Sequence, residues 1–487
     1  MRRRRQTHGG EGLFADLYLL TMAYAYWREG RTQPRAVFDL FFRGSPFGGG
    51  YAVVAGLDRA LAFIRGWRFS EPEIDYLASL HMFAEPAFLD FLREQAFTGD
   101  VEAMAEGTVA FAHEPLLRVT APLVQATAVE TGLLNAVGFP SAVATKATRI
   151  VRAAEGRPVV EFGARRAPGR DAALAAARAA VIGGCAGTSL MEAAHRFGLA
   201  PSGTQAHAMM MMFGELEGFR MYARAFPDNL VLLVDTYNVL RSGLPNAIQV
   251  FRETTERLGR KPRSYGIRID SGDLAWLSKR CRAELDAAGF GDARITLTSD
   301  LDENLITSLI REQGAQADLF GVGTKLATAD GQTSLGNVYK LGACERVADS
   351  GRFEGVIKLS ENRGKITNPG VKTVLRFYDD AGQAVVDEIR LAEEPEPGLP
   401  REFFDPVDTW KRKTVTEGRW EDLLEPLVRQ GRPVGELPPV AAAAARCRGQ
   451  LASFSDEHLR LLNPHRYHVD LSERLWLEKQ RLMRASG

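Results

Sequence analysis

Between residues 150 and 345, short apolar runs alternate with segments whose apolar positions recur every three to four residues. The runs fall at 159–162, 180–184, 199–206, 230–235, 265–270, 295–299, 318–323 and 338–342, and stretches such as 273–288 and 302–313 carry the helical period. Unbroken apolar runs of this length suit strands buried on both faces, as in a parallel sheet covered by helices. The beat predicts an α/β fold, an irregular, TIM-like α/β barrel with its helices outside. A doubly wound open sheet has the same periodicity and stays open as the alternative. The units are short for a full barrel, which is why an irregular one is expected.

The flanks read differently. Residues 1–149 mix helical pattern with aromatic, strand-like runs such as 36–42, and Gly48-Gly49-Gly50 opens as a loop into the apolar stretch 51–57. Residues 346–487 return to strand-like runs at 372–378 and 384–391, cross a Pro/Glu/Gly linker at 393–400 and end in helical sequence, including the alanine run 441–445. This predicts three zones: a flanking N-terminal α+β domain (1–149), the barrel (150–345), and a C-terminal extension (346–487) that partly completes the N-terminal domain. A chain of 487 residues exceeds one small core, as that division requires.

Composition narrows the partners. Lys plus Arg and Asp plus Glu balance at 61 each, which argues against a dedicated nucleic-acid or acidic-membrane binder. No stretch of about 18 apolar residues is present, so no membrane span is expected. Cys185, Cys281, Cys344 and Cys447 are far apart and form no CxxC pair, which suggests reduced thiols in a cytoplasmic protein. The arginine run at 2–5 lacks an apolar stretch behind it and reads as a basic tail, not a secretory signal.

In an α/β barrel the reactive groups sit where strands end and loops begin. Those points carry Phe162-Gly163-Ala164-Arg165-Arg166, Gly187-Thr188-Ser189, Gly203-Thr204-Gln205-Ala206-His207, Asp235-Thr236-Tyr237, Arg268-Ile269-Asp270-Ser271-Gly272-Asp273, Ser299-Asp300 and Gly321-Val322-Gly323-Thr324. Singly, each has a plain reading. Asp235 and Asp270 could cap helices, Arg165 and Arg166 could be solvated charges, His207 could be structural, and the glycines could form a turn. The methionines at 209–212 read as core packing. Together at one end of one sheet, the set is the layout of a polyanion-binding site. Phosphoribosyl transfer needs such an inventory: Arg and Mg²⁺ for a leaving diphosphate, Asp235 and Asp270 for ribose hydroxyls or metal, and N–H donors at Gly323 and Thr324 for a 5-phosphate. A flat base also needs an aromatic face.

The sequence resembles the nicotinate phosphoribosyltransferase family along nearly its whole length. The resemblance rests on Ala15-Asp16-Leu17-Tyr18, Phe41-Phe42-Arg43, Glu130-Thr131-Gly132-Leu133-Leu134-Asn135, Ala144-Thr145-Lys146-Ala147 and Glu161-Phe162-Gly163-Ala164-Arg165-Arg166. It continues through Gly203-Thr204-Gln205-Ala206-His207, Ile267-Arg268-Ile269-Asp270-Ser271-Gly272-Asp273-Leu274, Phe320-Gly321-Val322-Gly323-Thr324 and Asn463-Pro464-His465-Arg466-Tyr467. It implies a type II phosphoribosyltransferase barrel, acting on nicotinate and 5-phosphoribosyl 1-diphosphate in NAD biosynthesis, with Mg²⁺ as cofactor and ATP as co-substrate. It also implies a head-to-tail homodimer in which Tyr18 of one subunit stacks the pyridine ring against Phe162 of the other. Thr204 and Arg268 then contact nicotinate, Thr324 holds the phosphoribosyl substrate, Arg165, Asp300 and Gly323 are further substrate-binding residues, and His207 is the histidine that ATP phosphorylates.

Ser189 bears on the nearest alternative, a nicotinamide phosphoribosyltransferase, where the resemblance implies an Asp at this position. An Asp would repel the carboxylate of nicotinate, whereas a serine hydroxyl donates to it. A catalytically silent, nucleotide-sensing barrel is the alternative from another class, and it has no use for a phosphorylatable His207. Three positions depart from the family pattern: Ala15 and Leu19 beside Tyr18, and Ala208 after the histidine.

Overall fold

The computed structural model describes residues 10–83 and 85–486, so the arginine run at 2–5 lies outside the described residues. The chain divides into two compact units, Val143–Thr333 and the combination of Met1–Ala142 with Ser334–Gly487. The divisions expected at 149 and 345 fall inside a helix, Glu130–Ala153, and at the end of a strand, Asn337–Glu345.

Six parallel strands form the sheet of the middle unit: β1 (Val159–Glu161), β2 (Gly187–Thr188), β3 (Asn229–Leu233), β4 (Ser264–Ile269), β5 (Arg294–Leu297) and β6 (Leu319–Val322). Their order is β2-β1-β6-β5-β4-β3. The first strand lies beside the last, with Val159 opposite Phe320 and Glu161 opposite Val322. Every other pairing joins sequence neighbours, and only β2 and β3 are unpaired with each other. That succession is cyclic. It is the order of a barrel opened along one seam, and it removes the doubly wound alternative, whose order reverses in mid-sheet.

Three of the eight expected strands are corrected. Residues 180–184 close the alanine-rich helix Arg170–Ile182, because alanine favours helix and Gly184, at φ 104°, ends it. Residues 199–206 contain Pro201, Ser202 and Gly203 and contribute one bridge, Pro201 to Thr188, at the open seam. The run 338–342 is a strand, but an antiparallel one in the other unit, paired with Arg35–Phe42. The helical period at 273–288 and 302–313 holds, because each helix has an aspartate cap. Asp273 accepts from Trp276 N–H at 2.9 Å, and Asp302 from Leu305 N–H at 2.8 Å. The methionine run is split: Met210 is buried, but Met211 and Met212 are exposed, since helix His207–Phe213 turns a single side inward.

The terminal unit is α+β. Its seven-stranded sheet runs Phe353–Gly355, Asn337–Glu345, Arg35–Phe42, Leu117–Pro122, Asp100–Met104, Leu424–Arg429 and Arg432–Pro433, so the beginning and end of the chain share one sheet. A second sheet of four strands holds Lys372–Tyr378 and Ala384–Leu391 at its centre. Further strands at Arg401–Phe404, Arg412–Val415 and Arg419–Asp422 occupy sequence expected to be linker or helix. Across the central pair, fully buried Arg376 donates to Asp387 at 2.5 Å and stands over the Phe454 ring at 5.0 Å. A guanidinium so enclosed persists because the Asp387 carboxylate, the carbonyl of Val109 (2.8 Å) and Gln450 Oε1 (3.0 Å) take its donors.

Candidate active site

The carboxyl ends of the six strands carry the polar residues, as the sequence pattern requires. Arg268, the penultimate residue of β4, reaches three neighbours at once. Its Nε donates to Thr298 Oγ1 at 3.0 Å, its Nη2 donates to Asp270 Oδ1 at 2.9 Å, and its Cζ stands 5.5 Å from the centroid of the Phe162 ring. The Thr298 hydroxyl donates to the same carboxylate oxygen. Burial pushes the Asp270 carboxyl up, but Thr298, Arg268 and the nearby His207 together hold it below its ordinary value. Asp270 is therefore a fixed anion that aims the guanidinium.

Asp235, two residues beyond β3, links this group to the histidine. Its Oδ2 accepts from Asp270 N–H at 3.1 Å and from the Ser271 hydroxyl at 2.6 Å. Its Oδ1 is buried without a hydrogen-bond partner among the described residues and lies 3.9 Å from His207 Nε2. His207 Nδ1 sits 3.1 Å from Thr236 Oγ1, so both ring nitrogens face residues of one loop while the ring stays partly open to solvent. The loop is shaped by a π-helical turn, Val239–Gly243. A Cβ at Gly243 would meet Val234 O at 1.9 Å, so glycine alone lets the turn close against β3. Neither Asp235 nor Asp270 caps a helix, which leaves both carboxylates to the site.

One cavity is lined by Phe162, Arg165, Arg268, Asp300, Gly323 and Thr324, together with Asp270 and Thr298. Seven residues singled out in the sequence thus meet in one place. Ser299 and Asp300 both adopt positive φ, 104° and 37°, a strained conformation of the kind held at binding loops. The Phe162 ring packs over β6 because Gly321 has no side chain; a Cβ there would stand 2.7 Å from the ring. Arg165 and Arg166, in the turn Ala164–Arg166, are exposed and add positive charge at the rim.

Ser189 follows β2 and is half-buried. Its place is set by Glu161, a buried carboxylate that the sequence reading passed over. Glu161 accepts from Gly163 N–H on one side and from the Thr188 hydroxyl at 2.6 Å on the other. Ser189 N–H donates to the Glu161 carbonyl at 2.9 Å. One residue therefore fixes both the loop that carries Phe162 and the loop that carries Ser189. The signal was available, since a carboxylate inside an apolar strand is anomalous. Thr298 was also missed, because a threonine at a strand end is unremarkable in sequence, and Thr236, though it stood out beside Asp235, had no role assigned. Thr204 Oγ1 and both amide atoms of Gln205, in the loop before His207, are buried with no hydrogen-bond partner among the described residues. Tyr18 belongs to the other unit, near the start of helix Leu17–Arg28, where its side chain is 49% exposed. Burial of its hydroxyl, then Glu130, push that phenol up to about 12.

Profiles of the nicotinate phosphoribosyltransferase N-terminal domain, family and C-terminal domain match residues 13–138, 158–376 and 371–479. The nicotinate phosphoribosyltransferase of Bacillus subtilis (strain 168) is 42% identical over 470 residues, 96% of this chain and 94% of that protein. The chain belongs to the nicotinate phosphoribosyltransferase family. The nicotinate phosphoribosyltransferase of Homo sapiens is 34% identical over 95% of each chain. A crystal structure of human nicotinic acid phosphoribosyltransferase superimposes with a TM-score of 0.84 at 32% identity, covering 96% of this chain and 99% of that one. The nicotinate phosphoribosyltransferase likeness therefore spans both units, including the strands after residue 400. Among the described residues no group of three or more His, Cys, Asp or Glu is placed to hold a metal ion, so Asp235 and Asp270 stand as a pair. No helix among the described residues is long and apolar enough to cross a membrane.

Proposed function

We propose that this chain transfers the phosphoribosyl group of 5-phosphoribosyl 1-diphosphate to nicotinate, giving nicotinate mononucleotide and diphosphate for NAD salvage. The pyridine nitrogen attacks the anomeric carbon as its bond to the diphosphate oxygen breaks, and that oxygen keeps the electron pair. The observation that carries this reading is Arg268, joined at once to the aromatic face of Phe162 and to the Asp270 anion. A cation beside a flat aromatic surface suits a flat, anionic base. Gly323 and Thr324, at the start of helix Thr324–Ala327, supply N–H donors for the 5-phosphate, and Arg165 faces the diphosphate.

Asp235 and Asp270 fit Mg²⁺, because the buried Oδ1 of Asp235 has no hydrogen-bond partner among the described residues and hard oxygen donors suit that ion. When bound, Mg²⁺ supplies neutralising charge for the leaving diphosphate. His207, partly open and oriented by Thr236, is the phosphoryl acceptor through which ATP hydrolysis is coupled to product formation. The exposed Tyr18 supports a homodimer in which its ring faces Phe162 of a second copy. The widely spaced cysteines, free in the structure, support a cytoplasmic setting.

The test is incubation of the purified chain with nicotinate, 5-phosphoribosyl 1-diphosphate and Mg²⁺, with and without ATP. Nicotinate mononucleotide should form, faster or further with ATP. No product from nicotinate, with nicotinamide or another base consumed instead, would overturn the assignment.

A further inference from the structure

A cavity of about 350 Å³ lies wholly within the terminal unit, and none of its lining residues belongs to the candidate active site. His113, Arg466 and Lys479 face it, as do the rings of Phe111, Tyr467 and Trp476, and no Asp or Glu is among the described residues that line it. The Lys479 ammonium donates to a neutral acceptor, Asn368 Oδ1, at 2.8 Å. Burial, then the charge of Lys372, pull that ammonium down to about 8. Burial, followed by the charges of Lys479, Arg43 and Arg466, pulls His113 down to about 4. His113 is also held at a strained φ of 74°. Asp405 and Asp470 feel the charge of Arg466, but neither lines the cavity.

Two cations, Lys479 and Arg466, face this space, and their charges help hold His113 neutral, so an ammonium that has lost its solvation gains from a bound anion to which the imidazole can still donate a hydrogen bond. The aromatic wall has spent its own donors elsewhere. The Tyr467 hydroxyl donates to Asp387 at 3.0 Å, and Trp476 Nε1–H donates to the Pro406 carbonyl at 3.1 Å. What these rings still offer is apolar surface, while the positive groups supply the charge.

We infer that this cavity binds a small organic anion, its carboxylate or phosphate head against Lys479, His113 and Arg466 and its flat apolar body against Trp476 and Tyr467. The inference does not depend on the transferase reading, because it uses no residue of that site.

The test is calorimetric titration of the full chain with benzoate, phenyl phosphate and inorganic phosphate, paired with thermal melting. At least one flat-bodied anion should bind at least tenfold tighter than inorganic phosphate. Lys479→Met should weaken it at least tenfold, and Arg268→Lys, in the other site, should leave that binding event unchanged. Asn368→Asp puts a carboxylate beside Lys479, so it should raise the melting temperature and remove the binding. It serves as the second variant if Lys479→Met does not fold. Absence of binding, equal binding of inorganic phosphate, or binding indifferent to Asn368→Asp would overturn the inference.

Discussion

The Thr188 hydroxyl donates to Glu161 Oε2 at 2.6 Å, tying the ends of two neighbouring parallel strands together beneath Phe162 and Ser189. The other oxygen of the same carboxylate receives Gly163 N–H. Glutamine at 161 has one acceptor for these two donors, and leaving a buried donor unmet costs about 1–3 kcal/mol. Glu161→Gln should therefore raise KM for nicotinate roughly tenfold while kcat changes less. Steady-state kinetics checks this; an unchanged KM would confine Glu161 to a purely structural role.

Arg268→Lys keeps the charge and loses the planar fork that spans Thr298 and Asp270. Loss of one such charged hydrogen bond is worth about 1.5–3 kcal/mol, so kcat/KM should fall on the order of tenfold to a hundredfold. Melting temperature, measured alongside, should move little. A variant as active as the parent would show that the fork is not used.

Ser189→Asp replaces a donor with a repelling carboxylate at the half-buried position fixed by Glu161. The ratio of kcat/KM for nicotinate to that for nicotinamide should drop on the order of a hundredfold. Competition between the two bases in one reaction reads this ratio directly, and no movement would remove Ser189 from base selection.

His207→Ala removes the ring that faces Asp235 and Thr236. Label from γ-labelled ATP should pass to the parent protein and not to the variant. ATP stimulation should vanish, while slower nicotinate mononucleotide formation without ATP persists. Labelling of the variant would place the phosphoryl group on another residue.

Asp470 is buried, and that burial, followed by the charge of Asp405, raises its carboxyl from 3.8 to about 6. Between those values the folded state holds a proton that the unfolded state has lost, so this contribution to stability is complete below 3.8 and disappears as pH rises through 6. Asp470→Asn mimics the neutral form at every pH. Its stability relative to the parent should increase from pH 4 to about 6 and level off above 7, as denaturant titrations at each pH can measure. A difference constant over that range would contradict the raised value.

Much of this molecule is local information. The apolar beat placed β1 and β3–β6, because side chains buried on both faces leave a continuous run whatever their partners. Asp273 and Asp302 marked two helix starts for an equally local reason, since a cap bonds within its own first turn. The strand-end residues Asp235, Arg268, Asp270 and Thr324 were legible because reactive polar groups are out of place in apolar sequence, and Phe162 because it closes an apolar run just before Gly163 and two arginines. Strand pairing is not local. Only the folded chain sets Val159 against Phe320, opens the seam at Pro201 and sends 337–345 into the terminal unit. It likewise brings Leu424–Arg429 to Asp100–Met104, more than 300 residues away in sequence. The same holds for Glu161 beneath two loops and for Lys479 facing a cavity with no carboxylate among its described lining residues. Their meaning comes from neighbours distant along the chain, and packing alone selects those neighbours.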